Sequence, residues 1–303
     1  MKISSYWGFL FSITAGFLNS FAISIQKNVL DRIPDKYYYE KKWWAGFIML
    51  ISAEILGAAS FSLLPSSIAV GLSSFAILGI LFFARKKEPI TTGFICGALS
   101  IITASFLNGL VTPPEKTFET FSSLSAFLTS INSIIFHTII LFTCGLLHYF
   151  YIIRKIERYQ LFGFAFYAAC VSSITIIWAR TFVTQIISIP NDCNKNHCNS
   201  TLKNWLLYVS GIVTGITGLW AAGYIEQIGL TKNPQTVWFP IHFVSCVLTF
   251  SLAGIFVYDD WSVFNPSVKT LFLLLYSLLL YVWGVFMITL KKDVMYEKLC
   301  YKL

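Results

Sequence analysis

Charge is scarce in this sequence. Only 12% of its 303 residues are Asp, Glu, Lys or Arg, whereas 56% are hydrophobic, a balance that excludes a soluble globule of this size. The mean hydropathy of +0.69 agrees. No Gly-x-Ser-x-Gly elbow, phosphate-binding Walker loop or dinucleotide fingerprint occurs, and neither His-Glu-x-x-His nor paired Cys-x-x-Cys appears. Their absence argues against a hydrolase, a metalloenzyme and ATP-driven transport by this chain alone, so no enzyme and no cofactor are expected. A cleavable signal peptide is not expected either, because the first apolar run continues from Tyr6 to Gln26 without a small-residue cleavage pattern, and the first helix is expected to insert and stay.

What is present is a series of nine apolar runs long enough to span a bilayer, at about 6–26, 43–63, 67–84, 92–111, 131–152, 161–186, 204–225, 237–257 and 268–290. The expected fold is therefore an all-α polytopic membrane protein with nine transmembrane helices. With the odd-numbered loops in the cytosol, these loops and the tail collect 16 of the 22 basic residues, leaving Lys2, Lys116, Arg180, Lys195, Lys203 and Lys269 outside or near the outer ends. This bias sets the amino terminus out and the carboxyl terminus in. It also gives the formal charge of +8 a membrane meaning, contact with anionic lipid heads, and excludes nucleic acid as a partner.

The sixth loop supports this orientation independently. Asn199-Ser200-Thr201 is a glycosylation acceptor, and Cys193 and Cys198 lie close together on the side expected to be oxidising. A Cys193–Cys198 disulfide is the favoured reading, with a metal held by Cys193, His197 and Cys198 as the alternative. The other five cysteines, Cys96, Cys144, Cys170, Cys246 and Cys300, read as packed thiols. In the fourth loop, Phe118, Phe121 and Leu124 at helical spacing read either as an amphipathic segment on the outer surface or as a capped loop with apolar cover.

The two halves resemble one another. Asn19-Ser20 through Lys27 aligns with Ser172-Ser173 through Arg180 at a fixed offset of 153, and the segment from Pro65 to Gly71 aligns with that from Pro234 to Pro240. The aligned marks fall at opposite membrane faces, as an inverted repeat requires. The chain thus divides into a first repeat of five helices over 1–152, a second of four helices over 153–290, and a cytosolic tail over 291–303. Such a drug/metabolite transporter-like bundle places a substrate near the midplane between the halves and moves it by rocking one half against the other.

Glu54 is the acid that cannot escape the membrane. It lies eleven residues from the interfacial Trp43-Trp44 pair and eleven from Pro65, hence roughly 16 Å from either face at about 1.5 Å per residue. An ionised carboxylate there costs on the order of 3 kcal/mol unless it faces a wet cavity or a partner. Ala53, Gly57 and Ser60 follow helical spacing around it and let a neighbouring helix approach, which points the face into the bundle. The bland alternative is a buried acid bonded to helix hydroxyls or paired with a base. Asn19, Ser20, Ser172 and Ser173 add oxygen at equivalent depths, though such hydroxyls commonly bond their own backbone. His137 and His148, eleven residues apart, share one helix face, and His242 follows Pro240; each alone reads as a satisfied polar residue or a ligand. Lys27, Arg180 and Glu226 are candidates for gating or a charge pair, with snorkelling anchors or solvated ends as the alternative. In the tail, Tyr296-Glu297-Lys298-Leu299 matches a tyrosine-based sorting pattern.

Lys42-Trp43-Trp44-Ala45-Gly46, followed by Ala53-Glu54 and Pro65, resembles the NIPA-like magnesium transporter family of the drug/metabolite transporter superfamily. The similarity runs from about residue 7 to 262 and includes Pro113-Pro114-Glu115, Pro240-Ile241-His242-Phe243-Val244 and Asp259-Asp260-Trp261. Gly57 stands where that family has an amide, Val70-Gly71 where it has Thr-Pro, and Ala222 or a neighbour where it has a Gln. The resemblance implies transport of Mg²⁺ or a related divalent cation, with Glu54 as the principal ligand. Two rivals are a carrier of an organic anion or nucleotide sugar, and a degenerate member serving as a receptor or interaction protein. Expected partners are the divalent cation, the bilayer, a second copy of the chain and sorting adaptors, in the plasma or endosomal membrane.

Overall fold

The computed structural model describes residues 3–34, 36–64, 66–85, 88, 90–111, 129–157, 159–194, 202–257 and 267–300. Every regular element among them is helical: α1 (Ile3–Leu30), a short 3₁₀ turn (Tyr37–Tyr39), α2 (Lys41–Leu63), α3 (Ser66–Ser73), α4 (Phe75–Ala84), α5 (Thr92–Val111), α6 (Ile131–His148) with a π turn (Tyr149–Ile153), α7 (Gln160–Asn194), α8 (Leu202–Lys232), α9 (Gln235–Val257) and α10 (Val268–Cys300). Five stretches among the described residues are long and apolar enough to cross a membrane: Tyr6–Leu30, Thr92–Val111, Ile131–Ile153, Gln235–Gly254 and Val268–Leu290. Helices suit this setting because they satisfy their backbone groups internally, which lipid cannot do.

The run expected as one span over 67–84 is two helices, broken at Ser74. The hydroxyl of Ser74 donates to the Gly71 carbonyl at 2.5 Å, drawing that acceptor away from the helical ladder. Leu64, which precedes Pro65, is extended at φ −124° and ψ 153°, as the clash with a following proline ring demands, and it ends α2.

The chain forms two compact units, one of residues 1–112, 229–244 and 266–303 and the other of 113–228 and 245–265. In the first, α1 and α2 run antiparallel, because Ser60 Oγ donates to the Gly8 carbonyl at 3.0 Å near one end and a Cβ on Gly46 would meet the Ala22 carbonyl at 3.0 Å near the other. The opposite flank of α1 packs on α3 and α4. There Ser12 Oγ donates to the Ala69 carbonyl at 2.9 Å and Ser20 Oγ to those of Gly16 and Ala76. Small residues at these crossings replace the hydrophobic drive that lipid does not supply. The pairing of α5 with α10 is closer still. A Cβ on Gly97 would lie 2.5 Å from the Gly284 carbonyl oxygen, and Tyr281 Oη donates to Ser105 Oγ at 3.0 Å.

The second unit is organised by an antiparallel α6–α7 hairpin. His137 packs edge-on to Trp178, Cys144 packs against the cluster that holds Cys170, and Tyr151 seats its ring against Gly163. Phe136, Ile140, Cys170, Ile177, Ala253 and Val257 form its apolar core.

Candidate functional site

Glu54 sits on α2, flanking the face that α2 turns to α1, and is half-buried. Among the described residues it has no hydrogen-bond or ion-pair partner. The contacts Gly46–Ala22 and Ser60–Gly8 fix the register, which sets Glu54 level with Thr14 of α1. Asn19 lies five residues further along α1, about 7.5 Å. Side chains on a helix lean toward its own amino terminus, so in an antiparallel pair those of Glu54 and Asn19 lean toward one another. Asn19 Oδ1 is buried and has no hydrogen-bond partner.

One turn from Glu54, Gly57 departs from the expectation drawn from its spacing. Ala53 and Ser60 are buried against α1, but nothing among the described residues lies within 4 Å of a Cβ built at Gly57. The small-residue face therefore supports close packing at Gly46 and Ser60 and leaves room at Gly57, beside the carboxylate.

Of the other candidates, Ser20 is spent on backbone carbonyls, as described above, and Ser173 Oγ donates to the Cys170 carbonyl at 2.8 Å. Ser172 is half-buried. The ring of His242 stacks on Trp238 at 6.0 Å between centroids. Lys27 is buried at the end of α1, where its Nζ donates to the Leu230 carbonyl at 2.7 Å and pairs with Asp31 at 2.8 Å. Glu226 is buried near the end of α8. His137 Nδ1 lies 2.8 Å from the Ser133 carbonyl of its own helix while its ring packs on Trp178 of α7, and His148 Nδ1 lies 3.1 Å from Tyr167 Oη, so both histidines face α7. Cys144 and Cys170 are packed thiols, whereas Cys96, expected to be packed too, is exposed on α5. The side chains of Arg180, Cys193, Tyr296, Leu299 and Cys300, and all of Phe118, Phe121, Leu124, Cys198 and Asn199, lie outside the described residues; the backbone at 296–299 is helical within α10.

A polar arrangement with no motif to mark it in the sequence lies at the start of α9. Both oxygens of Glu88 accept backbone N–H groups there, from Gln235 at 2.7 Å and Thr236 at 2.8 Å, and Gln235 Nε2 donates to Ser24 Oγ at 2.6 Å. A carboxylate satisfies the orphan donors of a helix amino terminus and meets its positive dipole end. Pro234 before Gln235-Thr236 is a helix-start signal, but nothing in the sequence assigns its cap to a residue in a distant loop.

Chemically, Glu54 offers a hard anionic oxygen and Asn19 a hard neutral one. Among the described residues no three His, Cys, Asp or Glu side chains group as metal ligands. One or two oxygens suit a cation that keeps most of its water, as Mg²⁺ does.

Five helices long and apolar enough to cross a membrane, among the described residues, mark an integral membrane protein. The family model Magnesium transporter NIPA matches residues 5–294, and the chain belongs to that family. It is 18% identical over 311 residues to Magnesium transporter NIPA4 of Homo sapiens, covering 96% of this chain and 74% of the relative. To Probable magnesium transporter NIPA2 of Arabidopsis thaliana it is 20% identical over 228 residues, covering 75% of this chain and 66% of the relative. No solved structure matches the chain.

Proposed function

We propose that this chain carries a divalent cation, Mg²⁺, across the membrane, with Glu54 as its principal ligand. The observation that carries the reading is a half-buried carboxylate with no partner among the described residues, beside the open space at Gly57. Family membership supports it. In the same reading the chain spans nine times with its amino terminus outside, and its two inverted repeats exchange access to Glu54. The sixth loop carries the Asn199 glycan and the Cys193–Cys198 disulfide. The protein works in the plasma or endosomal membrane, where the tail meets sorting adaptors and a second copy completes a homodimer. No catalytic chemistry enters the cycle.

An organic-anion carrier would need cations such as Lys27 and Arg180 free to line a path. Lys27 is already neutralised by Asp31 and engaged by a carbonyl, which weakens that rival. Uptake of Mg²⁺ against a panel of divalent cations and organic anions in purified proteoliposomes tests the reading. Saturable Mg²⁺ uptake is expected; saturable anion uptake without a cation signal favours the metabolite carrier, and no flux of any kind favours the receptor.

A further inference from the structure

The turn joining α6 to α7 is built unlike the other connections. Its helix closes with a π turn over Tyr149–Ile153, in which Arg154 N–H donates to the Tyr149 carbonyl at 2.9 Å. Two non-glycine residues then take left-handed backbone, Lys155 at φ 53° and Tyr159 at φ 57°, and among the described residues they alone do so. Left-handed backbone is sterically costly for residues with a Cβ, and π turns and such strain gather where a side chain must be aimed.

The side chain aimed here is Arg154. Its Nε–H donates to Tyr149 Oη at 2.8 Å, and its guanidinium lies 5.4 Å from the centroid of the same ring. With Nε committed and the plane fixed, the two terminal amino groups are left as an outward fork, the geometry that matches phosphate oxygens. Lys155 follows as a second exposed cation. The loop is also apolar where it meets its surroundings, since Ile153 is 60%, Ile156 41% and Tyr159 64% exposed. Bare isoleucines beside an oriented arginine belong at the bilayer boundary, where chains and headgroups meet.

We propose that this loop is a binding site for a lipid whose headgroup ends in a phosphate monoester. A fork plus an ammonium matches a terminal phosphate with two negative charges better than the single negative charge of a phosphodiester. The exposed isoleucines contact the acyl region, and this selects a lipid over a soluble phosphate.

The test is native mass spectrometry and a binding titration of the full chain in neutral micelles. Phosphatidic acid is the probe, and phosphatidylserine, phosphatidylcholine and inorganic phosphate are the comparisons. Phosphatidic acid is expected to be retained in preference to the other three. Arg154→Ala and Lys155→Ala should each weaken it about fivefold, the effect of one cation near a charged lipid surface. Tyr149→Phe is the sharpest variant, because it leaves net charge unchanged while freeing the guanidinium, and it should weaken binding measurably at unaltered thermal stability. Equal retention of phosphatidylserine, or full binding by well-folded Tyr149→Phe, would reduce the loop to unspecific surface charge and overturn the proposal. Equal competition by inorganic phosphate would overturn its lipid character.

Discussion

Glu88 accepts the backbone N–H of Gln235 at 2.7 Å, a bond between residues 147 positions apart that ties the loop after α4 to the first turn of α9. Its second oxygen takes the next N–H, from Thr236, so one side chain answers two of the four donors that a helix start leaves open. Glu88→Ala should lower stability in detergent by about 1–2 kcal/mol, the range for losing a helix cap. Glu88→Gln should cost less, because one amide oxygen still accepts while the charge that meets the dipole is gone. Thermal unfolding of the two variants ranks them; equal and negligible losses would show that the clamp contributes nothing.

Glycines that look alike in sequence should respond oppositely to an added methyl. At Gly97 the new Cβ would fall 2.5 Å from the Gly284 carbonyl oxygen, and the backbone must shift to admit it. Gly97→Ala should therefore destabilise the α5–α10 pair by about 1–3 kcal/mol. Gly57→Ala has open space to enter inside a helix and should raise the unfolding temperature slightly, since Gly costs a helix interior up to about 1 kcal/mol relative to Ala. If Gly57 instead proves the more damaging site, the α2 packing described here is wrong.

Lys27 is buried, with Asp31 and the Leu230 carbonyl as partners. Asp31→Asn removes the compensating charge and leaves a cation in an apolar surround, so a loss of about 1–2 kcal/mol is expected, tempered by the partial exposure of Asp31. Lys27→Met, which removes charge and donors together, should cost no more than Asp31→Asn. Unfolding in detergent compares them, and a far larger loss for Lys27→Met would point to a role for the ammonium beyond this pair.

The topology prediction follows from the basic-residue bias and the Asn199 acceptor. Endoglycosidase should shift the protein's mobility, and Asn199→Gln should abolish that shift. Maleimide labelling of unreduced protein should spare Cys193 and Cys198. Reporter tags that place the loop over 187–203 in the cytosol would contradict the nine-span arrangement.

Helix positions were legible where local signals dominate. Pro65 marks the end of α2 because a proline cannot continue a helix, and the eleven-residue spacing of His137 and His148 puts both toward α7. The break at Ser74 was not legible, since a hydroxyl bonding its own backbone looks in sequence like any serine in an apolar run. Nor was the Glu88 clamp, which depends on tertiary folding to bring a loop carboxylate to a distant helix end. Spacing around Glu54 gave the right packed face at Ala53 and Ser60 but not the room at Gly57, because periodicity reports which residues share a face and not whether a neighbour reaches it.

The central claim is that Glu54 binds the transported cation, and the most direct measurement is Mg²⁺ uptake by proteoliposomes carrying wild type, Glu54→Gln or Glu54→Asp at matched, correctly folded protein density. Gln keeps size and hydrogen-bonding capacity but removes the charge; Asp keeps the charge and withdraws it by one methylene. The account predicts that Gln abolishes uptake while Asp retains part of it with altered preference among divalent ions, because Mg²⁺ tolerates little departure from its octahedral geometry. Wild-type uptake by well-folded Glu54→Gln would contradict it.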